Sequence, residues 1–431
     1  MRQTQIIESA RARGIEVAID AGVTVWRGSA TGKKKPRGPL SGKRVGLVVA
    51  PEFSDFQAYY LAEYLSEAGA DVQFVGVSGA YWKYTRPTDP AKGVQGMWGM
   101  SLDPIPVLGT ARCTYTDLSQ ANPSDYDALV VLGGHSADIL TTSPEALEFL
   151  SAADAAGCTL AAVGEGTLPL VSQDLIRGRR CTGNRIVSYL LDRVGTFEDE
   201  PVVRDERLVT ARDTIDTPAF VRELCRLFDE TYRDGYCGAL EGRRVTVIAG
   251  EDFEDIELVV PVLELLFRGA ALTLATFPAP KRARPPLVGL KTVMGNFGVS
   301  VPLQDIPDDR YDLRELSSIT PDQTDLVMIP GAFCPWNMVE ARTPLTSLRT
   351  FASAGTPIAA ICHGAIPLSA AELVSGRQIA GVGACRDHVR IMGGSFLPDA
   401  SAIVDGAIVT GRVPADVPEF LDAITYALSQ E

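Results

Sequence analysis

Gly42-Lys43-Arg44-Val45 and Gly242-Arg243-Arg244-Val245 decide the fold: they are the same opening, 200 residues apart, and each leads into a short apolar run, residues 46–50 and 246–249. A brief run that is apolar without alternation reads as a strand buried on both faces. Each strand continues into a helix ending in Ala68-Gly69-Ala70 or Arg268-Gly269-Ala270, with glycine where a helix C-cap favours it. Second strands follow at 72–77 and 272–276. Working outward, Asp127-Ala128-Leu129-Val130-Val131-Leu132-Gly133-Gly134 answers Asp325-Leu326-Val327-Met328-Ile329-Pro330-Gly331-Ala332 at a shift of 198. Residues 159–166 answer 357–364, and Leu175 to Arg179 answer Leu373 to Arg377, at that same shift. Leu208-Val209-Thr210-Ala211-Arg212 matches Ile408-Val409-Thr410-Gly411-Arg412, back at 200. Ordered matches at a nearly constant shift identify a duplication.

Within each copy, apolar strands alternate with amphipathic helices, the pattern of a parallel sheet covered on both faces. The expected organisation is an N-terminal extension with a basic linker over 1–40, a first domain over 41–237 and a second over 238–431, with the copies joined at Tyr236-Cys237-Gly238-Ala239. Residues 1–40 have no counterpart; 3–13 suit a short helix and 23–26 a short strand. The copies differ most over 80–115, where Trp82, Tyr84, Met97, Trp98 and Met100 suggest either a packing surface or the lining of a pocket.

The 431 residues are 46% hydrophobic and 22% charged, a globular balance in a chain too long for one ordinary core. No apolar run reaches the roughly 18 residues that a membrane span requires. Arg2, Glu8, Arg11, Arg13 and Glu16 break up the stretch where a secretory signal would lie, so a cytoplasmic location is expected, with no membrane partner. A net charge of −14 argues against nucleic acid, whose phosphates call for a basic footprint. Residues 1–45 nonetheless carry ten Lys/Arg against three Asp/Glu, and the run Lys33, Lys34, Lys35 and Arg37 reads as a solvated linker over a binding patch. The eight cysteines form no CxxC pair and no Cys/His spacing that suggests zinc, so no metal is expected and most are read as reduced, buried side chains.

One cysteine stands apart. In Pro357-Ile358-Ala359-Ala360-Ile361-Cys362-His363-Gly364 an apolar strand breaks abruptly into a helix, with a nucleophile at the break and a glycine two places on. A turn of this kind presents its side chain at the carboxyl edge of a sheet. Next to a helix N-terminus, the Cys362 thiol is expected to have a lowered pKa.

The string Ala360-Ile361-Cys362-His363-Gly364 resembles the nucleophile elbow of the ThiJ/PfpI family, within the class I glutamine amidotransferase-like superfamily. The segment 250–261 resembles the family's first helix and its preceding loop, and Glu257 takes the place of the glutamate that hydrogen-bonds the cysteine. Pro330-Gly331-Ala332 stands where the family has Pro-Gly-Gly, whose amides help form an oxyanion hole. The resemblance covers roughly 42–228 and 242–430. It implies an α/β fold of two tandem flavodoxin-like, glutamine-amidotransferase-like sandwich domains with parallel sheets, arranged as a pseudo-dimer. It further implies a small-molecule substrate, no cofactor, and assembly of copies of the chain as an open option.

On this reading Cys362 attacks an electrophilic carbon, a protonated Glu257 stabilises the thiolate and shuttles a proton, and His363 either acts as general acid/base or points away into a hydrogen bond. Backbone amides near Ala332 and His363 would hold the oxyanion. Ala332 departs from the family's second glycine and gives up φ freedom. Cys334 and Trp336 follow in the same loop; Cys334 is either pocket lining or a second thiol. Cys385 and His388 fall where family members often contact substrate. In the first copy Gly164 replaces Cys362 and Gln57 replaces Glu257, which excludes thiol catalysis there, although Glu165 and His135 remain as polar groups. The expected activity is therefore a thiol-dependent, glyoxalase III-like addition of water to, or rearrangement of, a small carbonyl compound. The alternatives are a C–N hydrolase or hydratase of amidase, deglycase or isonitrile hydratase type, a biosynthetic step on a larger substrate, and a non-enzymatic redox sensor.

Overall fold

A computed structural model describes residues 1–28, 37–77, 94–97, 102, 113–278, 293–303 and 305–429. The chain divides into two compact units, Met1–Thr31 with Gly235–Glu431, and Gly32–Asp234. The division between Asp234 and Gly235 lies close to the junction read from the repeat. Most of the aromatic segment 80–115 and the lysines of the basic run lie outside the described residues.

The first unit's sheet runs in the order Cys113–Asp117, Asp71–Gly76, Arg44–Val49, Ala128–Val131, Thr159–Val163 and Leu208–Ala211, all parallel, with Val202–Asp205 antiparallel at the edge. The second unit repeats it with Tyr311–Glu315, Ala271–Thr276, Arg244–Ile248, Leu326–Ile329, Ile358–Ile361 and Ile408–Gly411 parallel, and Ala402–Asp405 antiparallel. The central strands Ala128–Val131 and Leu326–Ile329 are buried at every residue, as expected of strands covered by helices on both faces. In each sheet the chain moves outward one way from the first strand and then returns to build the other side. The order thus reverses between Arg244–Ile248 and Leu326–Ile329, and the crevice beyond their carboxyl ends is where such a sheet binds ligands.

The N-terminal extension is part of the second unit. Helix Gln3–Ala12 is followed by strands Glu16–Asp20 and Val23–Arg27, joined by Ala21 and Gly22, both at positive φ as a tight hairpin turn requires. Val23–Arg27 then pairs antiparallel with Ala402–Asp405 and extends the sheet to nine strands. Trp26 is fully buried and meets Tyr426 edge to face, while Arg13 pairs with Asp422. The helix and strand expected over 3–13 and 23–26 are both present, in a role that is structural rather than that of a tether. No helix among the described residues is long and apolar enough to cross a membrane.

Candidate active site

Cys362 begins the turn Cys362–Gly364 at the end of strand Ile358–Ile361, and its φ is +60°. For a residue with a side chain this conformation costs roughly 1–2 kcal/mol. Such strain persists where the surroundings enforce it, commonly at functional sites. A Cβ on Gly364 would lie 3.0 Å from the Ala360 Cβ and 3.1 Å from the Ile329 carbonyl oxygen, so glycine suits the close packing of the turn on the neighbouring strand.

Glu257 lies in the first turn of helix Asp255–Phe267, whose N-cap Glu254 accepts a 2.7 Å hydrogen bond from the Glu257 amide. The Glu257 side chain is fully buried, and its Oε2 accepts a 2.8 Å bond from the Gly331 amide. Its Oε1 has no hydrogen-bond partner of its own among the described residues. The Cys362 thiol is the side chain that interacts with this carboxyl. Both converge on one face of Gly331: a Cβ there would sit 2.4 Å from Glu257 Oε2 and 3.1 Å from Cys362 Sγ. Only glycine leaves room for the pair.

Burial raises the Glu257 pKa to about 8, against the opposing pull of the Gly331 amide and the Cys362 thiol. The group is therefore mostly protonated at neutral pH and able to donate. Burial, with the negative charge of Glu257 adding to it, also shifts Glu254 upward. The Cys362 thiol is pushed well above its ordinary value, first by burial and then by the Glu257 carboxylate, with the His363 amide opposing. The lowered pKa expected from the elbow is thus corrected: the thiol is only 8% exposed, and the loss of water outweighs the helix terminus. His363 Nδ1 lies 3.5 Å from Cys362 Sγ, and partial burial lowers the imidazole pKa, keeping it neutral as a proton acceptor.

Ala332, at φ +55°, faces Phe253 in a bridge whose bonds flank it: Phe333 N–H donates to Asp252 O and Glu254 N–H to Gly331 O. The Ala332 amide is thereby left on the opposite side. In the first domain the matching Gly134 amide donates to the Glu165 side chain at 3.4 Å, so an amide in this position reaches a pocket carboxyl oxygen.

The remaining expected residues separate into two groups. Cys385 is fully buried and its thiol donates to the Cys362 carbonyl at 3.4 Å, which supports the elbow. Cys334 is also fully buried, packed so closely under Gly250 that a Cβ there would lie 2.8 Å from its sulfur. Burial lifts both thiols to about 12. Trp336 and His388, by contrast, meet each other edge to face, with ring centroids 5.4 Å apart. Sequence reading did not single out Glu254, because glutamate is not among the residues that ordinarily mark an N-cap. Among the described residues no cluster of three or more His, Cys, Asp or Glu side chains is placed to hold a metal ion.

A strained cysteine at a strand end thus lies against a buried acid and a neutral imidazole, in an α/β frame. Residues 43–227 and 243–427 both match the DJ-1/PfpI family, and the chain belongs to it. It is 27% identical over 315 residues to protein DJ-1 homolog D of Arabidopsis thaliana, covering 71% of this chain and 78% of that protein. It is 29% identical to a deglycase of Pyrococcus horikoshii, over 40% of this chain and 92% of that one. Protein/nucleic acid deglycase 2 of Escherichia coli is 28% identical, over 41% and 93%. Among solved structures, a two-domain protein of Anabaena variabilis with DJ-1/ThiJ/PfpI-like and ferritin-like domains is 27% identical, with a TM-score of 0.36 over 45% of this chain and 52% of that one.

Proposed function

We propose that the second domain converts a small 2-oxoaldehyde to the 2-hydroxy acid through a covalent adduct at Cys362. The observation that carries this reading is the buried Glu257 carboxyl, protonated near neutrality beside the thiol. In the first step the sulfur bonds to the aldehyde carbon and the thiol proton passes to neutral His363. The oxyanion lies against the Ala332 and His363 amides and takes the Glu257 proton, giving a thiohemiacetal. The Glu257 carboxylate then removes the hydrogen from that carbon while His363 returns its proton to the neighbouring carbonyl oxygen. Glu257 delivers its proton to the second carbon as the adduct hydroxyl proton goes back to His363. The first carbon is oxidised and the second reduced, so no external oxidant is needed. Water then cleaves the thioester, its hydroxyl going to the acid and its other hydrogen to the sulfur, and the proton on His363 returns to Glu257, so that all three groups are restored.

The relatives that are named deglycases favour a second reading, in which the same thiol attacks a carbonyl–amine adduct and a C–N bond breaks. A redox sensor fits less well, because selective oxidation favours an exposed, low-pKa thiol and Cys362 is neither. The test measures conversion of methylglyoxal to lactate, and release of amine from glycated substrates, by the full chain. Cys362→Ala is expected to abolish turnover and Gln57→Ala to preserve it. Full activity in Cys362→Ala overturns the proposal, and amine release without lactate formation selects the second reading.

A further inference from the structure

Phe333, Trp336 and His388 take no part in the chemistry above. Phe333 is 56% exposed and Trp336 41% exposed. Large aromatic side chains have the most to gain from burial, so two left open at the rim of a site call for an occupant. Their placement ties them to the thiol. Phe333 directly follows Ala332, and Trp336 lies in the first turn of helix Cys334–Ala341. His388 lies in helix Arg386–Ile391, which begins next to Cys385, the residue whose thiol bonds the Cys362 carbonyl. The Trp336 and His388 rings meet at 75°, 5.4 Å between centroids. This contact joins two segments that each start beside Cys362, one running from Gly331 to Trp336 and the other from Cys385 to His388.

The first domain supplies an internal control. At the shift of 198 its residues are His135, Asp138 and Leu190, so the tryptophan–histidine contact is missing from the copy that has no thiol, where the exposed aromatic of the matching helix is Tyr189. The part of the pocket that differs together with the nucleophile is the part a substrate would touch.

We propose that Trp336, steadied by His388 and flanked by Phe333, forms the specificity wall of the Cys362 pocket, and that the preferred electrophile carries a planar, aromatic substituent on its carbonyl. This deepens the carbonyl reading and rests on it for the attack itself. Trp336 contacts the substituent, and His388 is a positioning residue that acts through Trp336.

The full chain is assayed with methylglyoxal and phenylglyoxal, and Cys362 alkylation by iodoacetamide and iodoacetanilide is followed separately by mass spectrometry. An aromatic contact of this kind is expected to favour phenylglyoxal by about tenfold in kcat/KM. Trp336→Ala should lower kcat/KM for phenylglyoxal by about tenfold through KM and for methylglyoxal by less, so that the preference is removed. His388→Ala should weaken the preference and His388→Phe restore it. Equal use of the two aldehydes by the wild type, or equal loss of both in Trp336→Ala, overturns the wall and leaves the Cys362 chemistry standing. If neither aldehyde is turned over, the carbonyl reading fails and alkylation decides the wall: a preference for iodoacetanilide that Trp336→Ala abolishes supports it, and an unchanged ratio overturns it.

Discussion

In the first domain the Gly133 amide donates to Gln57 Oε1, and in the second the Gly331 amide donates to Glu257 Oε2, both at 2.8 Å. The fold requires an acceptor at this point of the loop, and glutamine meets that requirement as well as glutamate does. What glutamine lacks is an exchangeable proton. Its second group, Nε2, is taken up by Thr214 Oγ1 at 3.0 Å, whereas the residue matching Thr214 is Pro414, which has no hydroxyl to offer Glu257 Oε1. The space over the elbow differs in the same sense. Gly164 keeps the turn at φ +55°, but Glu165 reaches over it to the Gly134 amide and accepts a 2.6 Å bond from Asn184. A duplicated frame can keep its backbone hydrogen bonds while the groups that hold and pass a proton are exchanged for groups that satisfy one another.

Making the second pocket resemble the first should have the largest effect. Glu257→Gln keeps the Gly331 bond but removes the proton, and turnover is expected to fall by about 100-fold or more, the usual scale for general acid–base catalysis. In the wild type, activity should decline as pH rises through about 8, where Glu257 ionises, and the variant's residual activity should lack that limb. The same substitution tests the linkage. The folded-state pKa of Glu257 lies above its ordinary 4.5, so its protonated form stabilises the fold fully below 4.5, and that contribution is lost as pH rises through about 8. Wild-type stability should therefore fall relative to Glu257→Gln across this window, at no more than about 1.4 kcal/mol per pH unit. Parallel denaturation curves at pH 5 and 8 would contradict it.

The converse graft, Gln57→Glu with Gly164→Cys and Glu165→His, should have a smaller effect. A Cβ at Gly164 would lie 3.2 Å from Asn184 Nδ2, so the new thiol should alkylate slowly until Asn184→Val, matching Val382, is added. Rapid labelling without that change would show that the first pocket is not held shut by its own side chains. The smallest effect is expected from Ala332→Gly, which relieves the φ of +55°. The gain should be about 0.5–1 kcal/mol, the left-handed penalty less the extra chain entropy of glycine. Turnover should stay close to wild type, which kinetics beside a melting curve would check.

The duplication, the parallel strands and the elbow at Cys362 are legible in the sequence as patterns of residues, and Glu257 is legible through the resemblance of residues 250–261 to the family's first helix. A buried strand is a continuous apolar run, and a nucleophile turn is a strand broken by Cys-His-Gly. The tertiary structure decided what depends on pairing distant segments. Val23–Arg27 is a modest strand on its own and becomes an integral one by bonding to Ala402–Asp405 at the other end of the chain. Cys334 follows the oxyanion loop in sequence, yet its thiol is packed under Gly250, while Trp336, two residues on, turns outward to His388. The state of the Cys362 thiol was likewise out of reach of the local string, which shows the helix terminus but not the burial and the carboxyl that outweigh it. Sequence period determines which residues share a face, whereas burial and charge at a site are sums over every segment that packs there.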